Sequence, residues 1–208
     1  MLSFGRAAAH AGFTLIEVMI TIAVVAIVLT LGLPSYRTWI QNTQIRTAAE
    51  SALAGLQLAR AEALKRNTNV RFQLMTSMTA SCATSATATN WIVSVKDATS
   101  LCHITNPATD PPLLIQAKPS GEGTKNVTFA MADTTGTSQP VITFSALGQV
   151  TPPLANAPII LDIENPTAGG ACVASGGKMR CLQIRVESSG QIRMCDPAVT
   201  ATDDPRIC

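Results

Sequence analysis

Residues 12–33 read GFTLIEVMITIAVVAIVLTLGL, an apolar run that decides how the rest of the chain is organised. From Phe13 to Leu33 this run holds a single charged side chain, Glu17, among apolar residues, threonine and one glycine. As an α-helix a run of this length reaches about 30 Å, enough to cross the hydrocarbon core of a bilayer. It is too long for the apolar region of a secretory leader, and no small-x-small cleavage site follows it. We therefore predict a membrane-spanning helix over residues 13–34.

Glu17 is the unusual feature of this run. A carboxylate in a membrane helix costs about 2.5–3.5 kcal/mol near the bilayer centre and less near the surface. One interpretation is that Glu17 lies one turn from the interface and is tolerated there. The other is that Glu17 awaits a positive partner. If the chain is cut after Gly12, the new amino group of Phe13 supplies that partner, either within the chain or from a neighbouring copy.

The leader MLSFGRAAAHAG, residues 1–12, followed by FTLIEVMI, resembles the class III signal of type IV pilins and type II secretion pseudopilins. The resemblance implies that a membrane prepilin peptidase cuts between Gly12 and Phe13 and then methylates the amino group of Phe13. It also implies that Glu17 docks each subunit against its neighbour during assembly. Pro34, just past the apolar run, completes the motif.

Length and charge limit what the remaining residues can do. Of the 208 residues, about 170 follow the membrane helix, enough for one soluble domain of ordinary size. The net charge is +2, and loss of the leader with Arg6 lowers it to +1, because 14 basic residues then face 13 acidic ones. A nearly neutral chain gives no general case for binding nucleic acid, so any anion site must be a local patch.

Six cysteines all follow the membrane helix, and an even number in a translocated domain is typical of disulfides. Fifteen full pairings are open, and the sequence does not choose among them. Pairing of sequence neighbours gives Cys82–Cys102, Cys172–Cys181 and Cys195–Cys208. We favour the last most, because it would tie down the tail and stabilise the fold by roughly 3 kcal/mol. A zinc site is disfavoured because there is no CxxC pair, and disulfides indicate an oxidising compartment such as the periplasm.

Two kinds of periodicity follow the apolar run. Over residues 35–67 the apolar positions recur at steps of three or four, which predicts an amphipathic helix with a narrow, alanine-rich stripe lying against a sheet. Over residues 68–208 the period changes to two, which predicts an α+β fold with many short antiparallel strands. The predicted strands are Val70–Leu74, Trp91–Val95, Leu113–Gln116, Val127–Ala130, Val141–Phe144, Ile159–Ile163, Leu182–Val186 and Ile192–Met194.

The last two strands form a predicted hairpin around Ser188-Ser189-Gly190. The register sets Ile184 opposite Met194 and Val186 opposite Ile192 on the buried face, and Arg185 opposite Arg193 on the outer face. In one interpretation the two arginines are solvated and paired with Glu187 or Asp196. In the other they form a small anion-binding patch together with Lys178 and Arg180.

The pattern SSGQIRMCDP at residues 188–197, preceded by a long helix and a β-rich domain, resembles the GspH/FimT family of minor pilins and pseudopilins. The resemblance implies the type IV pilin-like fold. In FimT-type members a Gly-Arg-x-Arg stretch at this place contacts DNA during natural transformation. This chain has Gly190-Gln191-Ile192-Arg193, so the second arginine matches and the first is replaced by glutamine.

No catalytic motif is evident. Residues 120–126, SGEGTKN, lack the spacing of a phosphate-binding loop, and His103 has no evident nucleophile beside it. We therefore predict a structural subunit rather than an enzyme, with no cofactor and no metal. Its expected partners are the inner membrane, prepilin peptidase and other minor and major pilins or pseudopilins. The expected location is a single-pass anchor in the inner membrane with a periplasmic domain, then the filament. The alternative is a DNA-binding minor pilin.

Overall fold

The fold is taken from a computed structural model of the chain. The described residues are 12–103, 112–121, 123–124, 126–152, 158–166 and 171–208, with the side chains of 31–35 excepted. The predicted leader therefore lies outside them except for Gly12, as does the side chain of Pro34. The chain divides into two compact units, residues 1–37 and 38–208.

One helix, α1 (Leu15–Arg66), runs through both units and continues past position 34. It ends where Asn67 takes a left-handed conformation with φ 50°. In the part of the chain that the structure describes, no helix is both long and apolar enough to cross a membrane. That residues 13–34 span a membrane stays a prediction.

The second half of α1 supplies one side of the core. The predicted stripe of small and aliphatic residues is fully buried, and Ala48 belongs to it as well: Ile45, Ala48, Ala49, Ala52, Leu56, Ala59 and Ala63. These residues form one hydrophobic cluster with side chains of both sheets. The predicted packing of this helix on a β-rich domain is confirmed.

Eight strands form two four-stranded sheets in which every pairing among the described strands is antiparallel. Sheet 1 has the order β3-β2-β1-β5 and sheet 2 has the order β4-β6-β7-β8. The bounds are β1 Val70–Met75, β2 Asn90–Ser94, β3 Leu114–Lys118, β4 Thr128–Ala132, β5 Val141–Phe144, β6 Ile159–Glu164, β7 Leu182–Val186 and β8 Ile192–Cys195. The predicted strands are thus all present, most of them with ends shifted by one or two residues.

Burial of β1 is more complete than the alternation of its apolar residues with Arg71 and Gln73 predicts, because Gln73 and Met75 on the outer face of sheet 1 are buried as well. Gln73 is fully buried and donates from Nε2 to Ser94 Oγ at 2.8 Å. A second apolar cluster covers this face, built from Met75, Ile92 and Ala98 with the Cys82–Cys102 disulfide. Two connecting segments therefore cover this part of the sheet, through Cys82 in the loop between β1 and β2 and through Ala98 and Cys102 in the segment after β2.

Gly55 marks the closest approach of α1 to sheet 1. A Cβ at this position would lie 2.9 Å from the rings of both Phe72 and Trp91. Those rings pack against each other with centroids 5.6 Å apart. Since two packed aromatic rings cannot easily move aside, glycine at this position lets the helix backbone rest directly on the sheet.

We expect Gly55→Val to lower the free energy of unfolding of the domain by about 1–3 kcal/mol, because the added side chain overpacks a filled core. The control is Ala54→Val at the neighbouring exposed position, where only helix propensity changes, by up to about 0.7 kcal/mol. Both are measured by urea unfolding of the full chain in detergent. Equal losses at the two positions would contradict the close contact.

Candidate functional site

The N-terminal segment begins with a capped helix. The Thr14 side-chain oxygen accepts the Glu17 main-chain N–H at 3.3 Å, and α1 starts at the next residue, Leu15. Thr14 and Glu17 have the spacing of a capping box, T-x-x-E, so the sequence itself carries a signal for the start of this helix. The residues that start the helix therefore belong to the predicted processing and docking motif.

This segment exposes an unusual amount of apolar surface. Every described side chain from Gly12 to Thr30 is exposed, and Phe13 and Leu15 retain 83% and 82% of their full accessibility. Glu17 is exposed on the same segment. Contiguous apolar surface of this extent marks a site of contact with other molecules.

At the other end of the chain, the β7–β8 hairpin has the predicted register. Ile184 lies opposite Met194, Val186 opposite Ile192, and Arg185 opposite Arg193. Ile184 and Val186 are fully buried, whereas Arg193 is exposed. Alternation of apolar and polar residues on both strands thus fixes which face carries the arginines.

The turn of this hairpin is held against another turn. Gly190 has φ 80°, and a Cβ at this position would overlap the main-chain oxygen of Gly148. The same oxygen accepts Arg60 Nε at 3.1 Å, and the Val150 N–H donates to Ser188 O at 3.0 Å. Helix α1, the turn after β5 and the hairpin therefore meet at the Gly148 oxygen. Only glycine at position 190 leaves room for this contact.

The two arginines of the hairpin bind the end of the tail. Arg185 Nη1 donates to Cys208 O at 2.8 Å, and Arg193 Nη2 donates to the same oxygen at 3.1 Å. Arg193 Nη1 reaches Ile207 O at 3.3 Å. Two like charges that face each other across a hairpin are thus joined through one shared acceptor, which offsets their repulsion.

The other two residues of the predicted patch behave differently. Arg180 Nε donates to the buried carboxylate of Asp196 at 2.9 Å, so Asp196 is the partner of Arg180 rather than of the hairpin arginines. The Arg180 main-chain N–H also donates to Asn42 Oδ1 on α1 at 2.8 Å. Lys178 is exposed in the segment before β7.

The tail after β8 is fixed by polar and covalent contacts. Cys195 and Cys208 are joined by a disulfide, and the other bridges are Cys82–Cys102 and Cys172–Cys181, which is the neighbour pairing considered above. The Asp196 N–H donates to Arg206 O at 2.8 Å. Hydrogen bonds from Arg206 lower the pKa of the Asp204 carboxyl to about 2, so this pair stays ionised at neutral pH.

The described residues bring only one cluster of metal-ligand type together, Glu164 with Cys172 and Cys181. Both sulfurs belong to the disulfide and are not thiolates, so the glutamate is left as a lone ligand. Such an arrangement does not hold a metal ion.

Two family models match the sequence. Residues 48–190, more than half of the chain, match the family described as type II transport protein GspH. The chain belongs to the GspH family. Residues 8–33 match the prokaryotic N-terminal methylation motif, which contains the predicted cleavage and docking residues. This GspH-family chain is thus a member of the pilin and pseudopilin class of structural subunits, as the sequence resemblance predicts.

Similar folds occur among solved structures. The type IV minor pilin FimU of Pseudomonas aeruginosa, in two crystal forms, is 16% identical, with a TM-score of 0.48 over 76% of this chain and 97% or 92% of FimU. The solution structure of E. coli GspH is 18% identical, with a TM-score of 0.39 over 79% of this chain and 93% of that protein. Comparison with curated proteins gives no significant match.

We expect Gly190→Ala to destabilise the domain more than Gly136→Ala. Both glycines have a positive φ, 80° and 83°, but space around Gly136 is open whereas Gly190 abuts the Gly148 carbonyl. The control should lose about 1–2 kcal/mol from the left-handed conformation alone. Urea unfolding of the two variants gives the comparison, and equal losses would argue against the turn-to-turn contact.

Proposed function

We propose that this chain is a minor subunit of a type IV pilus or of a type II secretion pseudopilus. It would be made as a precursor, inserted in the inner membrane by residues 13–34, and assembled into a filament with other minor and major subunits. The single observation that carries the proposal is the exposed apolar segment from Phe13 to Thr30, which begins with the methylation motif and leads into a folded domain.

Processing follows from the same motif. Prepilin peptidase would cut between Gly12 and Phe13 and methylate the new amino group of Phe13. Gly12 and Phe13 are both exposed and precede the helix, so the scissile bond lies in a non-helical segment. The mature chain would then carry its domain, residues 68–208, in the periplasm, where the disulfides persist.

Glu17 would act in assembly rather than in folding. Its carboxylate is exposed at the start of α1, among side chains that are almost all apolar. In a filament core that side chain would be removed from water, and an unpaired buried carboxylate is strongly unfavourable. The amino group of Phe13, on the same subunit or on its neighbour, would neutralise it. Pro34 would belong to the same assembly segment.

Glu17→Ala tests this role. We expect normal insertion of the precursor and normal cleavage after Gly12, but impaired incorporation into filaments, because the amino group of Phe13 loses its counter-charge. The control is Glu50→Ala, which removes an exposed carboxylate from the other half of α1. Incorporation is scored in sheared filaments, and mass spectrometry shows whether the mature chain begins at Phe13. Normal incorporation of Glu17→Ala would contradict the charge-pairing role.

A second candidate function is DNA binding at the hairpin. The observation that favours it is the direct juxtaposition of Arg185 and Arg193 on the outer face, where both guanidinium groups converge on one oxygen. Such convergence suits a phosphate group, which accepts several charge-assisted hydrogen bonds at once. Lys178 and Arg180 would extend the basic surface.

The DNA candidate predicts a defined salt dependence. Arg185→Gln/Arg193→Gln should weaken binding of duplex DNA and reduce the slope of log K against log salt by about 2, since two phosphate contacts are lost. Binding is measured by fluorescence anisotropy on the full chain in detergent, with Arg46→Gln as the control at an exposed arginine on α1. Binding of equal strength in native and double-variant chains would place the contact elsewhere and contradict this candidate.

A further inference from the structure

The C-terminal tail, residues 197–208, lies on the arginine pair of the hairpin. Arg185 and Arg193 both donate to Cys208 O, and Arg193 also donates to Ile207 O. These acceptors occupy the position where the two guanidinium groups converge. An incoming anion would therefore have to displace the tail before it could reach both arginines.

The tail satisfies Arg185 only in part. Arg185 Nε is buried, and within the described part of the chain no group accepts its hydrogen. The oxygen of Cys208 bonds only Nη1 of Arg185, whereas an acceptor with two oxygens, such as phosphate, can bond Nε and Nη of one arginine together. A buried donor without a partner is unfavourable, so the tail is an imperfect ligand for this site.

The tail is also separable from the core. None of residues 197–208 is fully buried, and the hydrophobic core ends before it at Cys195. The contacts that hold it include the Cys195–Cys208 disulfide, the Asp196 N–H to Arg206 O hydrogen bond and the hydrogen bonds from the two arginines. Release of the tail would thus expose the arginines without removing apolar contacts that the two sheets depend on.

We propose that residues 197–208 are an autoinhibitory strap that occupies a phosphate-binding site formed by Arg185 and Arg193. With the strap closed, the arginines are held by main-chain oxygens and the hairpin binds polyanions weakly. With the strap released, both guanidinium groups and the Nε of Arg185 become available to a DNA phosphate. The assignment of DNA phosphate as the ligand rests on the second candidate function. The covering of Arg185 and Arg193 by the strap does not.

The masking is tested without any DNA. Phenylglyoxal labels accessible arginines, and mass spectrometry compares Arg185 with exposed Arg46 in the same sample of full chain in detergent. We expect slow labelling of Arg185 in the native chain. Labelling should become fast in a chain that carries Cys195→Ser and ends at Asp196, and also in Cys195→Ser/Cys208→Ser, which keeps the tail but not the bridge. The unbridged variant covers the case in which the shortened chain fails to fold. Arg185 labelling as fast as Arg46 in the native chain would overturn the strap.

DNA binding by the same variants tests the ligand. Loss of residues 197–208 removes Asp203, Asp204 and Arg206, which raises the net charge by one, since two acids and one base are lost. Asp203→Asn raises the charge equally with the strap in place and is therefore the matched control. We expect at least about tenfold tighter binding of duplex DNA after strap release and little change in the control. The gain should disappear when Arg185→Gln/Arg193→Gln is added.

The two proposals fail separately. Protection of Arg185 in the native chain, with no DNA binding by native or released chain at low salt, would support the strap and overturn the DNA candidate. Tighter DNA binding that survives Arg185→Gln/Arg193→Gln would overturn the assignment of the phosphate site to this pair. Neither result tests filament assembly, which in the proposed function depends on residues 13–34.

Discussion

The contact between the Gly55 backbone and the rings of Phe72 and Trp91 sets the distance between α1 and sheet 1. With small residues on either side of it in the helix stripe, the backbone lies close to the sheet, and one apolar cluster then includes the helix and both sheets. A larger side chain at Gly55 would separate these layers and open space along the whole contact. The packing of the helix on the sheet therefore depends on the absence of a side chain at Gly55.

The same helix explains how a small domain can carry a long apolar segment. Residues 38–66 are held by the domain core, whereas residues 15–30 of α1 expose their side chains. Helix formation is cooperative, so an anchored and packed half extends more readily than an isolated peptide would. Thr14 stabilises the start of α1 by accepting the Glu17 N–H. The two halves thus use the same secondary structure for different purposes, one for burial and one for contact with other molecules.

The parts of the structure that could be predicted from the sequence are those set by residues close together along the chain. The stripe from Ile45 to Ala63 follows helical periodicity, and the Arg185–Arg193 register follows from strand alternation and Gly190. Burial of Gln73 could not be predicted in this way, because Lys96 and Ala98, which hydrogen-bond its side chain, lie in an irregular segment after β2 that follows no apolar period. The contact of the hairpin arginines with the tail was missed as well. Main-chain oxygens are present at every residue, so an acceptor such as Cys208 O leaves no side-chain signal.

The sequence and contacts around the hairpin limit its positive charge. Residues 191 and 193 lie on the same face of the chain entering β8, because side chains alternate along a strand. An arginine at 191, as in the Gly-Arg-x-Arg pattern, would thus place a third cation beside Arg185 and Arg193. This chain has the neutral Gln191 there, its tail supplies oxygens to the two remaining arginines, and Asp196 neutralises Arg180. The first two features lower the positive potential of the outer face of the hairpin, and the third lowers that of the segment before β7. Under the proposed strap, the affinity of the outer face for an anion would depend on the internal contacts that the anion must replace as well as on the number of arginines.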